Sequence, residues 1–148
     1  MSTPLPVARG PRGWVGWRFG HPDLDAGTPG IAIAASGRVE LVRDADAVRQ
    51  ALILLLSTRP GERVMRPDYG CELPRLLFAP NDDTTAGLAI HYVRRAVERF
   101  EPRAIIVSID AGPSPLRPDR LDVVLDYRPR LGGPTETLTV TVPLQEGV

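Results

Sequence analysis

The sequence predicts an α+β fold: two main helices packed on a three-stranded antiparallel sheet, with a short hairpin between the helices and an irregular N-terminal arm. Three observations carry this. Apolar residues recur at helical spacing in two internal segments. Three later segments are β-branched or alternate between apolar and polar residues. Proline and glycine crowd the first 38 residues, which excludes a long helix there.

The organisation follows from these patterns: an arm over 1–38 and one domain over 39–148. The arm holds Trp14, Trp17 and Phe19, a concentration of aromatics that a disordered linker lacks, and short strands are expected at Ile31–Ala34 and Arg38–Val42. From Asp44 the period changes. Val48, Ala51, Leu52 and Leu55 fall on one helix face, Leu54 and Leu56 widen it, Asp44 serves as N-cap and Pro60-Gly61 stops the helix. In the second helix Ala86, Ala89, Ile90, Val93, Val97 and Phe100 form the apolar stripe, opposite His91, Arg94, Arg95, Glu98 and Arg99. Asn81, Asp82, Asp83 and Thr84 all offer caps, and Pro102 ends the helix at Glu101. Strands follow at Ala104–Ile109, Leu121–Tyr127 and Thr137–Val142, separated by proline- and glycine-bearing loops, as in an antiparallel meander with helices on one face.

Composition narrows the function. The chain has 148 residues, enough for one domain that buries roughly two-thirds of its unfolded surface. Its formal charge is zero, so no long-range field favours nucleic acid or an anionic membrane. All 18 basic residues are arginine, whose rigid donor fork suits partner interfaces. The single Cys71 excludes an internal disulfide, and its ordinary role is that of a small buried hydrophobe. No secretory signal is visible, and the longest apolar run, Ala51–Leu56, is too short to span a bilayer. Cytoplasmic synthesis and no direct membrane insertion are expected, with release only inside a larger particle.

A search for catalytic chemistry returns little. Without lysine no phosphate-binding P-loop exists. Gly10, Gly13, Gly16 and Gly20 lack the strand and helix that a dinucleotide fingerprint needs. His21 and His91 have no metal-ligating neighbours at suitable spacing, so no metal or cofactor is expected. Asp122 and Asp126 share one side of a strand but stand about 13 Å apart, beyond a glycosidase pair. Glu62, Glu72 and Glu101 sit among arginines that favour the ionised form, the reverse of what a general acid needs. No catalytic residue is assigned.

Two motifs remain. Arg59-Pro60-Gly61-Glu62-Arg63-Val64-Met65-Arg66-Pro67-Asp68-Tyr69-Gly70 is a helix stop, a short strand and a turn with Pro67-Asp68 and Gly70 as turn residues, yet denser in charge than a connector requires. Glu101-Pro102-Arg103 taken alone is a helix terminus whose charges face water. Together with Leu55–Thr58 before the first motif and Leu76-Leu77-Phe78-Ala79-Pro80-Asn81-Asp82 between the two, this order and spacing resembles the GPW/gene-25-like baseplate family over roughly Gly30 to Tyr127. Members of that family form baseplate wedges of contractile phage tails, type VI secretion systems and extracellular injection particles.

The resemblance implies a structural, non-enzymatic protein that docks on baseplate wedge subunits through Glu101, Pro102 and Arg103. Arg59, Pro60, Gly61, Glu62, Arg63, Met65, Arg66, Pro67, Asp68 and Gly70 form the family hairpin. It also implies sheath initiation, with Thr137, Leu138, Thr139, Val140, Thr141 and Val142 pairing with strands of first-ring sheath subunits. An alternating edge strand suits such an addition physically, and equally suits an ordinary sheet edge. Tube or spike and hub proteins are further partners, and nucleic acid is not expected. Phe100 stands where many relatives have tryptophan, and the terminus Val142–Val148 lacks their aromatic-rich strand. The arm with Trp14, Trp17 and Phe19 is similar to longer members from extracellular injection particles. The alternative reading is a tail-associated lysozyme, a peptidoglycan hydrolase, since part of the family has carried that label. Arg103→Ala is expected to abolish wedge incorporation while the fold survives.

Overall fold

The structure, a computed structural model, describes residues 15–20, 30–31, 33–39 and 41–145. Within the arm, residues 1–14, 21–29 and 32, Trp14 and His21 among them, lie outside the described residues. From the arm, β1 (Val15–Trp17) pairs antiparallel with β4 (Leu41–Arg43) of the domain, and β2 (Phe19–Gly20) pairs with β3 (Gly30–Ile31). The two expected strands are shorter than the sequence suggests, with an Ile33–Val39 bridge between them, closed by a turn in which Gly37 N donates to Ala34 O at 2.8 Å.

Helix α1 (Asp44–Ser57) follows β4 directly. Asp44 enters it at φ +50°, a left-handed conformation that aspartate tolerates better than most residues. The helix buries Val48, Leu52, Leu55 and Leu56, and also Ile53, so it is covered on more than one side. It stops at Ser57, ahead of Pro60. There the Ser57 and Thr58 hydroxyls donate back to the carbonyls of Ile53 and Leu54.

The expected hairpin after α1 is not made of strands. Residues 59–70 form successive turns: Glu62 N donates to Arg59 O, Arg66 N to Arg63 O, and Tyr69 N to Arg66 O, at 3.1–3.3 Å. The segment resembles a hairpin only in that its ends meet, where Cys71 N donates to Thr58 O at 2.9 Å. A dense run of proline, glycine and charge has no alternation to sustain a ladder. Gly70 makes the closure: at φ +138° its missing side chain admits the Thr58 carbonyl, which would lie 2.6 Å from a Cβ.

A short 3₁₀ turn, Leu73–Leu76, leads to α2 (Asp83–Phe100). Among the caps the sequence offers, Asp82 is used: its carboxylate accepts from Thr85 N at 2.9 Å. Ala89, Val93, Ala96 and Val97 are buried, while His91, Arg94, Arg95, Glu98 and Arg99 stay in water. Strands β5 (Ala104–Pro113), β6 (Arg120–Pro129) and β7 (Glu136–Pro143) form one antiparallel sheet in the order β5-β6-β7. Leu121, Val123, Leu125 and Tyr127 point into the core with Leu138 and Val142, and both helices cover that face. On the other face Asp126 accepts from Thr137 Oγ1 (2.6 Å) and Ser108 Oγ (2.9 Å), and Asp122 from Thr141 Oγ1 (2.8 Å). β5 and β7 are therefore the two sheet edges, with a bulge interrupting β5 between Ile106 and Ser108.

A candidate partner-docking surface

The two motifs, distant in sequence, meet at the C-terminal end of α2. Tyr69, at the end of the turn segment, packs edge-to-face against Phe100, the last residue of α2, with ring centroids 5.2 Å apart. Arginines stack around this pair. The Arg63 guanidinium lies 4.4 Å from the Tyr69 centroid, Arg66 5.7 Å from both rings, and Arg99 4.9 Å from Phe100. Asp68 accepts from Arg99 Nη2 at 2.8 Å, tying the turns to the helix. Burial raises the Tyr69 hydroxyl above its ordinary pKa, partly offset by the nearby charge of Arg63.

Glu101 corrects the sequence reading. Its charges were expected to face water, yet the residue is only 5% exposed. The chain reverses at Pro102, and Arg103 folds back to donate to both carboxylate oxygens, Nε to Oε1 at 2.6 Å and Nη2 to Oε2 at 2.9 Å. These bonds to Glu101 hold the Arg103 guanidinium above its usual pKa. Arg130 braces the turn from the β6–β7 connection: its Nε donates to Pro102 O (2.9 Å) and its N–H to Arg103 O (2.8 Å). Within the motif, Pro102 is exposed, Arg103 half-buried and Glu101 an internal anchor.

Of the predicted site residues, the structure brings together Arg63, Arg66, Asp68, Glu101 and Arg103. Arg59, Pro60, Gly61, Glu62, Met65 and Pro67 are exposed along the same turn segment, and Gly70 sits at its closure. Sequence reasoning missed Tyr69, Phe100, Arg99 and Arg130 as organisers. The first two were visible as flanking aromatics. The strand residues Thr137–Val142 lie elsewhere, on β7, whose second edge pairs with no described strand. Thr137, Thr139 and Thr141 are exposed there, opposite Leu138, Val140 and Val142. An open apolar groove lined by Leu56, Leu73, Leu77, Val140 and Val142 runs beside β7.

Four of the five carboxylates weighed for catalysis are engaged otherwise, Glu101 with Arg103, Glu72 with Arg75 at 3.2 Å, and Asp122 and Asp126 with cross-strand hydroxyls, while Glu62 is exposed on the turn segment. Hydrogen bonds from Thr137 and Ser108 hold Asp126 below the usual carboxylate range. Among the described residues no group of three metal-ligating side chains converges, and no helix is long and apolar enough to cross a membrane.

The small α+β domain thus carries arginines gathered over aromatic rings at one end and an open outer edge along β7. The profile of the family described as baseplate wedge protein gp25 matches residues 42–132, and the chain belongs to that family. Baseplate wedge protein gp25 of Enterobacteria phage T4 is 28% identical over 67 residues, 45% of this chain and 51% of its own. The chain thus spans about half the length of this curated relative. A chain from Geobacter sulfurreducens described as a tail lysozyme has 32% identity, a TM-score of 0.63, and coverage of 70% of this chain and 93% of its own. A chain of the anti-feeding prophage baseplate shares the fold at 20% identity and a TM-score of 0.57, over 88% of this chain and 86% of its own.

Proposed function

We propose that this protein is a non-enzymatic adaptor that joins the baseplate wedge at one sheet edge and starts the sheath at the other. The carrying observation is the placement of the two features. Glu101-Pro102-Arg103 leads directly into edge strand β5, and β7 is the opposite edge, two strand spacings or about 10 Å away. Arg103 and exposed Pro102 make the wedge contact, while Glu101 holds Arg103 in position. At β7, a strand from a first-ring sheath subunit adds to the open edge through backbone hydrogen bonds, and its inward side chains enter the apolar groove. After synthesis in the cytoplasm the protein works as part of the assembled particle.

The test is reconstitution with the wedge and sheath proteins of its own particle. Thr139→Pro removes a backbone donor from β7, and should leave wedge incorporation intact while sheath fails to polymerise. Normal sheath growth on that variant sinks strand addition. The second reading, a peptidoglycan hydrolase, is favoured only by the description of the Geobacter relative. Measurable cleavage of peptidoglycan by the purified protein would displace the adaptor-only reading.

A further inference from the structure

The turn that carries Arg63 and Arg66 is built against the usual composition of turns. Arg66 N donates to Arg63 O at 3.3 Å, so Val64 and Met65 occupy the two central positions of a tight turn. Those positions ordinarily hold glycine, proline, asparagine or aspartate. Here they hold large apolar side chains, 95% and 91% exposed, with nothing among the described residues covering them. Both flanking arginines lie at cation–π distance from the aromatic pair: Arg63 4.4 Å from the Tyr69 centroid, and Arg66 5.7 Å from both Tyr69 and Phe100. A guanidinium held beside a ring by this attraction is partly ordered before a partner arrives, which lowers the entropy cost of a further contact. Among the described residues neither is ion-paired, for Asp68 is held by Arg99, Glu72 by Arg75, Glu98 by Arg94 and Glu101 by Arg103. Glu62 is the other carboxylate of this loop.

We infer that the Arg63–Arg66 turn is a plug: Val64 and Met65 enter an apolar socket on a wedge subunit, and Arg63 and Arg66 meet carboxylates on the rim of that socket. An apolar centre ringed by oriented charges is the anatomy of an interface hot spot. Methionine's unbranched, polarizable chain adapts to an irregular pocket. The turn shares its aromatic base with the Glu101-Pro102-Arg103 corner, because Phe100 immediately precedes Glu101, so plug and corner face the wedge together. The inference rests on the baseplate reading and adds the chemistry of the partner surface.

The experiment places a photo-crosslinking residue at Met65 in the full-length chain, and a second at Thr139 on β7 in a separate sample. Each is assembled with the wedge and sheath proteins of the same particle and mapped by mass spectrometry. The position 65 adduct is expected on a wedge peptide combining apolar residues with aspartate or glutamate. Val64→Ser/Met65→Ser and Arg63→Gln/Arg66→Gln should each weaken wedge affinity about tenfold or more, the second with a shallower salt dependence, and neither should shift thermal unfolding appreciably. Arg63→Lys/Arg66→Lys should restore the affinity only in part, because ammonium groups do not stack as flat plates. Assembly that proceeds with no wedge adduct at position 65, or with unchanged affinity in both double variants, overturns the plug and leaves the adaptor reading standing. Failure of the wild-type chain to join wedge or sheath at all overturns both.

Discussion

Arg103 grips Glu101 through two hydrogen bonds of 2.6 and 2.9 Å, and the carboxylate so held is almost entirely removed from water. The pair is therefore structural before it is anything else. A buried carboxylate that loses its cation has no solvent to replace it.

Arg103→Ala is accordingly expected to destabilise the domain itself, by about 2–3 kcal/mol, below the full cost of breaking a buried pair because Arg103 is partly exposed. Thermal unfolding should move down by roughly 5–10 °C. The double variant Glu101→Ala/Arg103→Ala should lose less than the sum of the two single changes, since no orphaned charge remains. Additive losses would mean that the pair contributes nothing jointly.

Gly70→Ala places a Cβ 2.6 Å from the Thr58 carbonyl oxygen and 2.8 Å from the Arg59–Pro60 backbone, at φ +138°. No side chain can yield there, so the turn segment must shift. A cost on the order of 3 kcal/mol is expected, read as a lower urea midpoint with an unchanged slope.

Burial pushes the Cys71 thiol from 9.0 up to about 11. The unfolded chain therefore loses this proton first, and the folded state is penalised as pH rises. Stability is complete below pH 9 and declines towards pH 11, by about 2–3 kcal/mol from this group. Cys71→Ala should flatten that decline when chemical denaturation is compared at pH 8 and 10.5. An equally steep decline in the variant would assign the alkaline loss to other groups.

Phe78 stands at φ +68° with its ring 70% exposed, while its N–H donates to Leu144 O at 2.7 Å. A bulky residue in that conformation is strained, and the exposed ring recovers little by packing. Phe78→Asn keeps the backbone bond and relieves the strain, so a gain of about 0.5–1 kcal/mol is expected in denaturant unfolding. A loss of stability would show that the ring packs more than its exposure suggests.

What the sequence made legible follows from periodicity. β6 was readable because Leu121, Val123, Leu125 and Tyr127 alternate with Asp122, Val124 and Asp126, and all four are buried. α2 was readable for the same reason at helical spacing. In α1 the run Ala51–Leu56 is apolar all round, so pattern alone could not single out Ile53 as a core residue over Ala51 and Leu54. The turn segment has no period at all, and its fold is set by Gly70 and by Cys71 N reaching Thr58 O. Each motif was recognisable locally. Their shared surface was not, because it depends on Tyr69 meeting Phe100 across the whole of α2.

The hydrogen bond from Cys71 to Thr58 has one more consequence. With both ends of the segment clamped at a single point and Asp68 and Tyr69 fastened to α2, only the tip between them projects free of the core. The exposed side chains at Val64 and Met65 can therefore be replaced at little cost to the scaffold, so long as the glycine at the clamp stays.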